Sequence, residues 1–383
     1  MNIGVGLPTS TSGISGQLLV DWAKRADAGP FSSLGVVDRV AYQNYEPFTA
    51  LAAAAAVTHR VRLATMVVIA PLRNTAILAK QAASVHALSD GRVTLGLAVG
   101  ARGEDYAVSG VDSRGRGRRF GEQLEAIRDI WEGGTIGPTP ATPGPQLLVG
   151  GSSGEALARM ARYSDGYMHG GGPARAFAGA AAKAAAAWSD LGRPGRPILW
   201  GMGYFALGDG NADAGAEYLR HYYAFTGPFA EKIAAGNLTS PGAITDFIRG
   251  YEDAGCDELV LFPTASSIDQ VARRPTRLTR SSWWSVIHPT PRSVGVSSSL
   301  KRRLVRFGMP TTKPTPRSAR ASLAGTRSTS ITATPWSGPA ATSLPGSRAR
   351  FCSTSCSGAA GRSEFGWSLS ARCATSRSSR APT

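Results

Sequence analysis

Eight short apolar runs, each followed by a stretch with helical periodicity, recur along the first 270 residues, and this repetition narrows the fold more than any other feature. The runs fall at about 2–8, 33–40, 61–70, 93–100, 146–151, 165–170, 198–207 and 258–264. Most are unbroken rather than alternating, the pattern of strands buried on both faces of a parallel sheet. Between them lie amphipathic stretches such as LLVDWAKRADAG, FGEQLEAIRDIWEGG and AITDFIRGYEDAG. Several stop at Gly, which readily takes the left-handed conformation that ends a helix. The nearly all-Ala stretch 181–188 reads as a close-packed helix.

Eight such steps in that length predict a closed (β/α)8 barrel, the TIM barrel. An open doubly wound sheet is the alternative, but its first turn should carry G-x-G-x-x-G, and here that turn is PTSTSGISG. The last unit is incomplete. SSIDQVAR begins as a helix should, and Pro275 then halts it. The expected organisation is a barrel over 1–272 without its final helix and a separate tail over 273–383.

Charge marks the same boundary. The tail holds 19 Lys and Arg against one acid, Glu364, whereas residues 1–272 hold 23 basic and 25 acidic side chains. About a third of the tail is Ser or Thr, and it shows no periodicity. It reads as a disordered tract. Out-of-frame translation of a GC-rich gene yields this composition, a frameshift that would explain the interrupted helix. A basic arm that neutralises nucleic-acid phosphates and a small separate domain are the other readings. Cys256 is the only cysteine before the tail, and Cys352 and Cys356 have no His or carboxylate cluster beside them, so neither a disulfide framework nor a metal site is expected. With no signal peptide and no apolar run long enough for a membrane span, the expected location is the cytoplasm.

A barrel's chemistry sits at the C-terminal ends of its strands. In LLVGGSSGEALARMARYSDG a strand ends in Gly150 and Gly151, and Ser152, Ser153 and Gly154 open a helix. Bare backbone, helix-start N–H groups and hydroxyls suit a phosphate, although an ordinary capped βα turn looks the same. In GRGRRFGEQLE, Arg116, Arg118 and Arg119 offer phosphate partners or a solvated loop. Asp38 ends the second strand, where it can orient substrate, relay a proton or pair with Arg39. His169 follows the sixth strand and is a candidate donor to an oxyanion or a cofactor carbonyl, or a structural hydrogen-bonding group. No Ser-His-Asp or Cys-His set is evident. A phosphate cradle without an acid/base set suggests that a cofactor carries the reaction.

The ordered series VVDRV, RVRLATMVVIAPLRNTAILAKQAASVHALSDGRVTLGLAVGARGEDYAVSG, RGRRFGEQLEAIRDIW and LLVGGSSGEALARMARYSDGYMHGG resembles the bacterial luciferase-like monooxygenase family, including its deazaflavin (coenzyme F-420)-dependent oxidoreductases. The likeness runs from about residue 2 to 271. It implies a barrel holding reduced FMN or deazaflavin at its mouth and acting on a small organic substrate. The phosphate would lie against Gly150, Gly151, Ser152 and Ser153, joined by Arg118. A non-prolyl cis peptide beneath the ring corresponds to Met66 and Val67, and Val99 and Gly100 would flank the ring. Many members have His where this chain has Arg39, and some deazaflavin enzymes have Glu near Ala101 and Arg102. The resemblance leaves two chemistries open: oxygen activation with flavin from a partner reductase, or direct hydride exchange with a deazaflavin. Homodimers are common in such a family. A truncated, inactive remnant is the reading of another class.

Overall fold

The computed structural model describes residues 1–271 apart from 12, 135 and 141–143, so the readings of 273–383 lie outside the described residues. The strands are β1 Asn2–Gly6, β2 Ser33–Val36, β3 Arg62–Thr65, β4 Val68–Ile69, β5 Val93–Ala98, β6 Gln146–Gly150, β7 Gly166–Met168, β8 Ile198–Phe205 and β9 Glu258–Pro263. Every pairing is parallel. The sheet closes where β1 pairs β9, with Val5 opposite Leu261, and where β5 pairs both β3 and β4. Since β3 and β4 follow one another along a single stave, nine segments make eight staves, a TIM barrel as the repetition predicts. The third run, 61–70, is divided at Met66-Val67, whose peptide is cis.

Among the described residues ten α-helices flank the staves: α1 Gly16–Ala28, α2 Pro47–Ala55, α3 Thr75–Leu88, α4 Gly103–Val108, α5 Arg116–Gly133, α6 Gly154–Tyr163, α7 Ala174–Asp190, α8 Asn211–Tyr222, α9 Phe229–Ala235 and α10 Pro241–Asp253. Local chemistry sets their starts. The side chains of Ser15, Asn74, Ser153 and Ser240 each accept a hydrogen bond from a backbone N–H in the first turn. The Ala-rich α7 is close-packed: it buries Phe177, Ala181, Ala184 and Trp188, and Gly250 of α10 approaches so near that a Cβ there would stand 2.8 Å from Ala174 Cβ. After β9 a single 3-10 turn, Ile268–Val271, follows. Its Gln270 amide donates to the Leu207 carbonyl and accepts from the Leu207 N–H, at 2.6 and 2.8 Å.

The second expected strand stops at Val36, four residues early. Val40 and Ala41 turn their N–H groups to Asp105 Oδ1 at 2.9 and 2.8 Å instead of to a neighbouring strand. That turn carries Asp38 and Arg39 onto the barrel rim.

One core lies between strands and helices and contains Val5, Trp22, Leu34, Leu63, Leu95 and Phe177. A second fills the barrel with Ala64, Met66, Met168, Trp200, Met202 and Phe262. Small residues make room for large ones across the interior. A Cβ on Gly35 would stand 2.9 Å from Phe262 Cζ and 3.1 Å from Met66 Sδ, and one on Gly6 would overlap the Phe262 ring. At the N-terminal mouth a polar layer closes the barrel. Ser32 and Ser33 donate to Glu258 Oε1 at 2.5 Å, and Arg62 donates to Thr94, which donates to Gln146. Burial pushes the Glu258 carboxyl up, with the two serines and Arg62 pulling the other way.

Candidate active site at the barrel mouth

Asp38 and Arg39 do not pair with each other. Asp38 is buried, and both its oxygens are engaged. Oδ2 accepts from the Ile69 N–H at 2.9 Å and from Arg73 Nη1 at 2.6 Å, while Oδ1 accepts from Arg73 Nη2 at 3.0 Å. The carboxylate thereby ties the end of β2 to β4, immediately after Met66 and Val67. Arg39, also buried, pairs with Glu104 and with Asp105, and its guanidinium lies 4.9 Å from the Tyr42 ring centroid.

Val67, expected beneath a ring, and Gly150, expected at a phosphate, lie close together. A Cβ on Gly150 would lie 3.5 Å from Val67 Cγ1 and 3.5 Å from Ala98 Cβ, so the Met66-Val67 segment, the end of β5 and the end of β6 meet at one spot. Val99 is fixed by its carbonyl, which accepts the Tyr106 hydroxyl at 2.5 Å. Gly100 takes φ 72°, a conformation that suits Gly, and packs on Ile69.

Beside this spot α6 presents its N-terminus. Gly151, at φ 130°, lies so close to α6 that a Cβ would stand 2.7 Å from Ala156 Cβ. Ser153 caps the helix by accepting from the Ala156 N–H at 3.2 Å, so its hydroxyl is already engaged, while Ser152 is exposed. A cavity of about 530 Å³ opens there, lined by Gly151, Ser152, His169, Arg175 and Lys183 among others. Arg175, Gly179 and Lys183 recur every four residues along one face of α7. The His169 backbone N–H donates to the Trp200 carbonyl at 2.9 Å, whereas its Nδ1 is shielded from solvent and has no hydrogen-bond partner among the described residues. Burial pushes this imidazole down from the usual histidine range, favouring the neutral ring.

Arg118 is placed elsewhere. It sits on the outer face of α5, its side chain 80% exposed and paired with Glu122 at 3.5 Å, in a groove shared with Arg159 and Arg162. It lines no part of the cavity at Gly151. The cations that do, Arg175 and Lys183, were missed, and their recurrence on α7 was the available signal.

Also missed was a group of tyrosines. Tyr42 follows β2, Tyr204 lies on β8, Tyr218 and Tyr222 on α8, and Tyr223 just after it. Tyr222 belongs to the inner core cluster, and the other four pack against it. Tyr204 and Tyr223 share a hydroxyl hydrogen bond of 2.7 Å, as do Ser10 and Tyr218. Arg102 stands 4.6 Å from the Tyr222 centroid and 4.4 Å from that of Phe225. Burial raises the phenols of Tyr204, Tyr218, Tyr222 and Tyr223, which keeps them protonated and able to donate. Among the described residues no cluster of three His, Cys, Asp or Glu is placed to hold a metal ion, and no helix is long and apolar enough to cross a membrane.

Comparison with known proteins places this geometry. An uncharacterized protein of Mycobacterium tuberculosis is 36% identical over 185 residues, covering 39% of this chain and 64% of that protein. The pyrimidine monooxygenase RutA of Methylobacterium radiotolerans is 32% identical over 216 residues, covering 50% and 54%. The oxygenase component of a flavin-dependent trigonelline monooxygenase from Acinetobacter baylyi is 38% identical over 89 residues, covering 23% and 25%. The chain thus spans less than two thirds of the length of these relatives. Among solved structures, an F420-dependent secondary alcohol dehydrogenase shares the fold with a TM-score of 0.59 at 17% identity, over 70% of this chain and 95% of that one. The model of the luciferase-like monooxygenase family matches residues 1–267, and the chain belongs to that family.

Proposed function

We propose that this protein is a reduced-flavin-dependent oxidoreductase of the monooxygenase type acting on a small organic molecule. The observation that carries the reading is the meeting of Val67, Ala98 and Gly150 beside a cavity of about 530 Å³ that is lined by Arg175 and Lys183 and opens just before α6. A flat ring and a phosphate need that pair of features at that proximity. Relatives named as monooxygenases, one of them flavin-dependent, support the oxygenase form over direct hydride exchange with a deazaflavin.

When bound, reduced flavin supplies the electrons and the reaction with oxygen. The chain's own residues hold and shield it. The α6 N–H groups, the Ser152 hydroxyl, Arg175 and Lys183 would bind the phosphate. Val67, Val99, Gly100 and Gly150 would form the floor for the ring. His169 would place a neutral imidazole at the cavity wall. The tyrosines, with Arg39 and Arg102, would wall the mouth and narrow the access of water to the ring. A partner reductase would deliver the flavin.

The test is anaerobic titration of the full chain with reduced FMN and with reduced deazaflavin. Saturable micromolar binding of FMN, weakened about tenfold in Arg175→Ala, is expected, on the scale of one lost charge-assisted contact. Preference for the deazaflavin would replace the oxygenase reading with hydride exchange. Binding of neither by folded protein would refute both.

A further inference from the structure

A second and larger cavity, about 1270 Å³, opens between the loop after β1, the loop after β2, α8 and the segment after β9. It exceeds the roughly 300–1,000 Å³ of an ordinary small-molecule site. Its walls include three tyrosine rings, Tyr42, Tyr45 and Tyr218, together with hydroxyl and amide groups. Among the described residues that line it there is one carboxylate, Glu217, and no Lys or Arg. Glu217 is exposed and has no ion-pair partner among the described residues. Arg39 and Arg102, the cations of the mouth, are occupied by Glu104 and Asp105 and by the rings of Tyr222 and Phe225. The electrostatic character is therefore opposite to that of the cavity beside α6, which has Arg175 and Lys183.

Thr9 adds an independent sign of a ligand. It is 1% exposed and lines the cavity, yet its Oγ1 is shielded from solvent and has no hydrogen-bond partner among the described residues. Asn44 Oδ1, on the same wall, likewise has no partner among the described residues. Buried polar atoms in folded proteins are nearly always paired, so two orphans in one pocket mark atoms that await a partner. Beside them, the hydroxyls of Ser10 and Tyr218 can reorient to donate or accept.

We propose that this cavity is the substrate pocket and that it takes a planar, polar organic molecule carrying no anionic group, neutral or cationic. The tyrosine rings stack on its faces, Thr9 and Asn44 satisfy its polar edge, and Glu217 at the rim repels anions and favours cations. Calling the occupant a substrate rests on the flavin reading above, while the pocket and its charge preference do not.

The experiment measures binding to the full chain, without flavin, of three near-isosteric probes: 1-methylnicotinamide (cation), nicotinamide (neutral) and nicotinate (anion), by ligand-observed NMR titration. The cation and the neutral amide should bind at least about fivefold more tightly than nicotinate. Glu217→Gln should close the gap between cation and anion and leave nicotinamide unchanged. Thr9→Val should weaken nicotinamide about fivefold while leaving Tm unchanged or raised, because the hydroxyl it removes has no partner in the free protein. Equal binding of nicotinate, an unaltered affinity in Thr9→Val, or no binding of any probe at millimolar concentration would overturn the proposal. A chain that shows this charge order but binds no reduced flavin keeps the pocket and loses the cofactor reading; the reverse result does the opposite.

Discussion

Replacing Asp38 by Asn separates a tether from a catalytic acid. The wild-type carboxylate is 1% exposed and accepts three hydrogen bonds, two from Arg73, whose side chain is 16% exposed, and one from the Ile69 N–H. Asn retains one acceptor oxygen but sets an NH₂ donor against Arg73 or Ile69 and removes the charge. A hydrogen bond to a charged group contributes about 1.5–3 kcal/mol, and breaking a buried ion pair from one side costs about 3–5 kcal/mol. Arg73 is partly solvated and has Glu46 at 3.6 Å as a second partner, which argues for the lower end. The expected loss is thus about 2–3 kcal/mol, or roughly 5–10 °C in Tm for a domain of this size. Thermal and urea unfolding of the full chain would measure it. In the cycle with Arg73→Met, the double variant should be more stable than the sum of the single losses predicts, by at least about 1 kcal/mol. If Asp38→Asn keeps its Tm while turnover collapses, Asp38 is a catalytic group and the tether argument is wrong.

Other substitutions probe other layers. Burial raises the Glu258 carboxyl, so its contribution favours the fold at low pH and is lost as pH rises through the raised value. Glu258→Gln should therefore gain stability relative to wild type as pH rises from the ordinary carboxylate range toward neutrality; a gap moving the other way would refute the sign. Gly6→Ala drives a methyl into the Phe262 ring and should cost about 1–3 kcal/mol, part of it recovered by adding Phe262→Leu, as read by urea midpoints. Arg118→Ala should leave reduced-FMN affinity unchanged, because the side chain faces solvent with Glu122; a tenfold loss would restore it as a phosphate ligand.

The barrel was legible because strands buried on both faces are written as unbroken apolar runs, and eight of them leave few closed arrangements. The interruption at Met66-Val67 was not legible from periodicity, since Val67 and Val68 continue the apolar run, and only the family resemblance pointed to it. The early end of β2 was equally hidden: its cause is Asp105, some 65 residues away in sequence. Arg118 shows what helix phase adds to a motif. It stands two positions before the buried Phe120, roughly 200° around the helix, and so faces away from the barrel. The tyrosines come from three segments, two of which show nothing locally, while Tyr218 and Tyr222 lie one turn apart on α8, a helix that the apolar pattern did not mark.

These placements change what the candidate acids and bases can do. Asp38 is committed to Arg73 and Ile69, and Arg39 to Glu104 and Asp105. Burial pushes the His169 imidazole down, which favours its neutral form, and pushes the phenols of Tyr204, Tyr218, Tyr222 and Tyr223 up from a range already above neutrality. Of these groups only an imidazole would trade protons near neutrality at a solvent-open site, and burial pushes that of His169 down. What remains for them is geometry: Asp38 anchors the segment that follows Met66-Val67, Arg39 braces the turn that carries Tyr42, and the phenols present hydrogen-bond donors. On the flavin reading proposed above, a mouth built this way would position reactants for chemistry carried by the cofactor. It follows that substitutions there should alter affinity and coupling between cofactor and substrate more than they shift the pH profile of turnover.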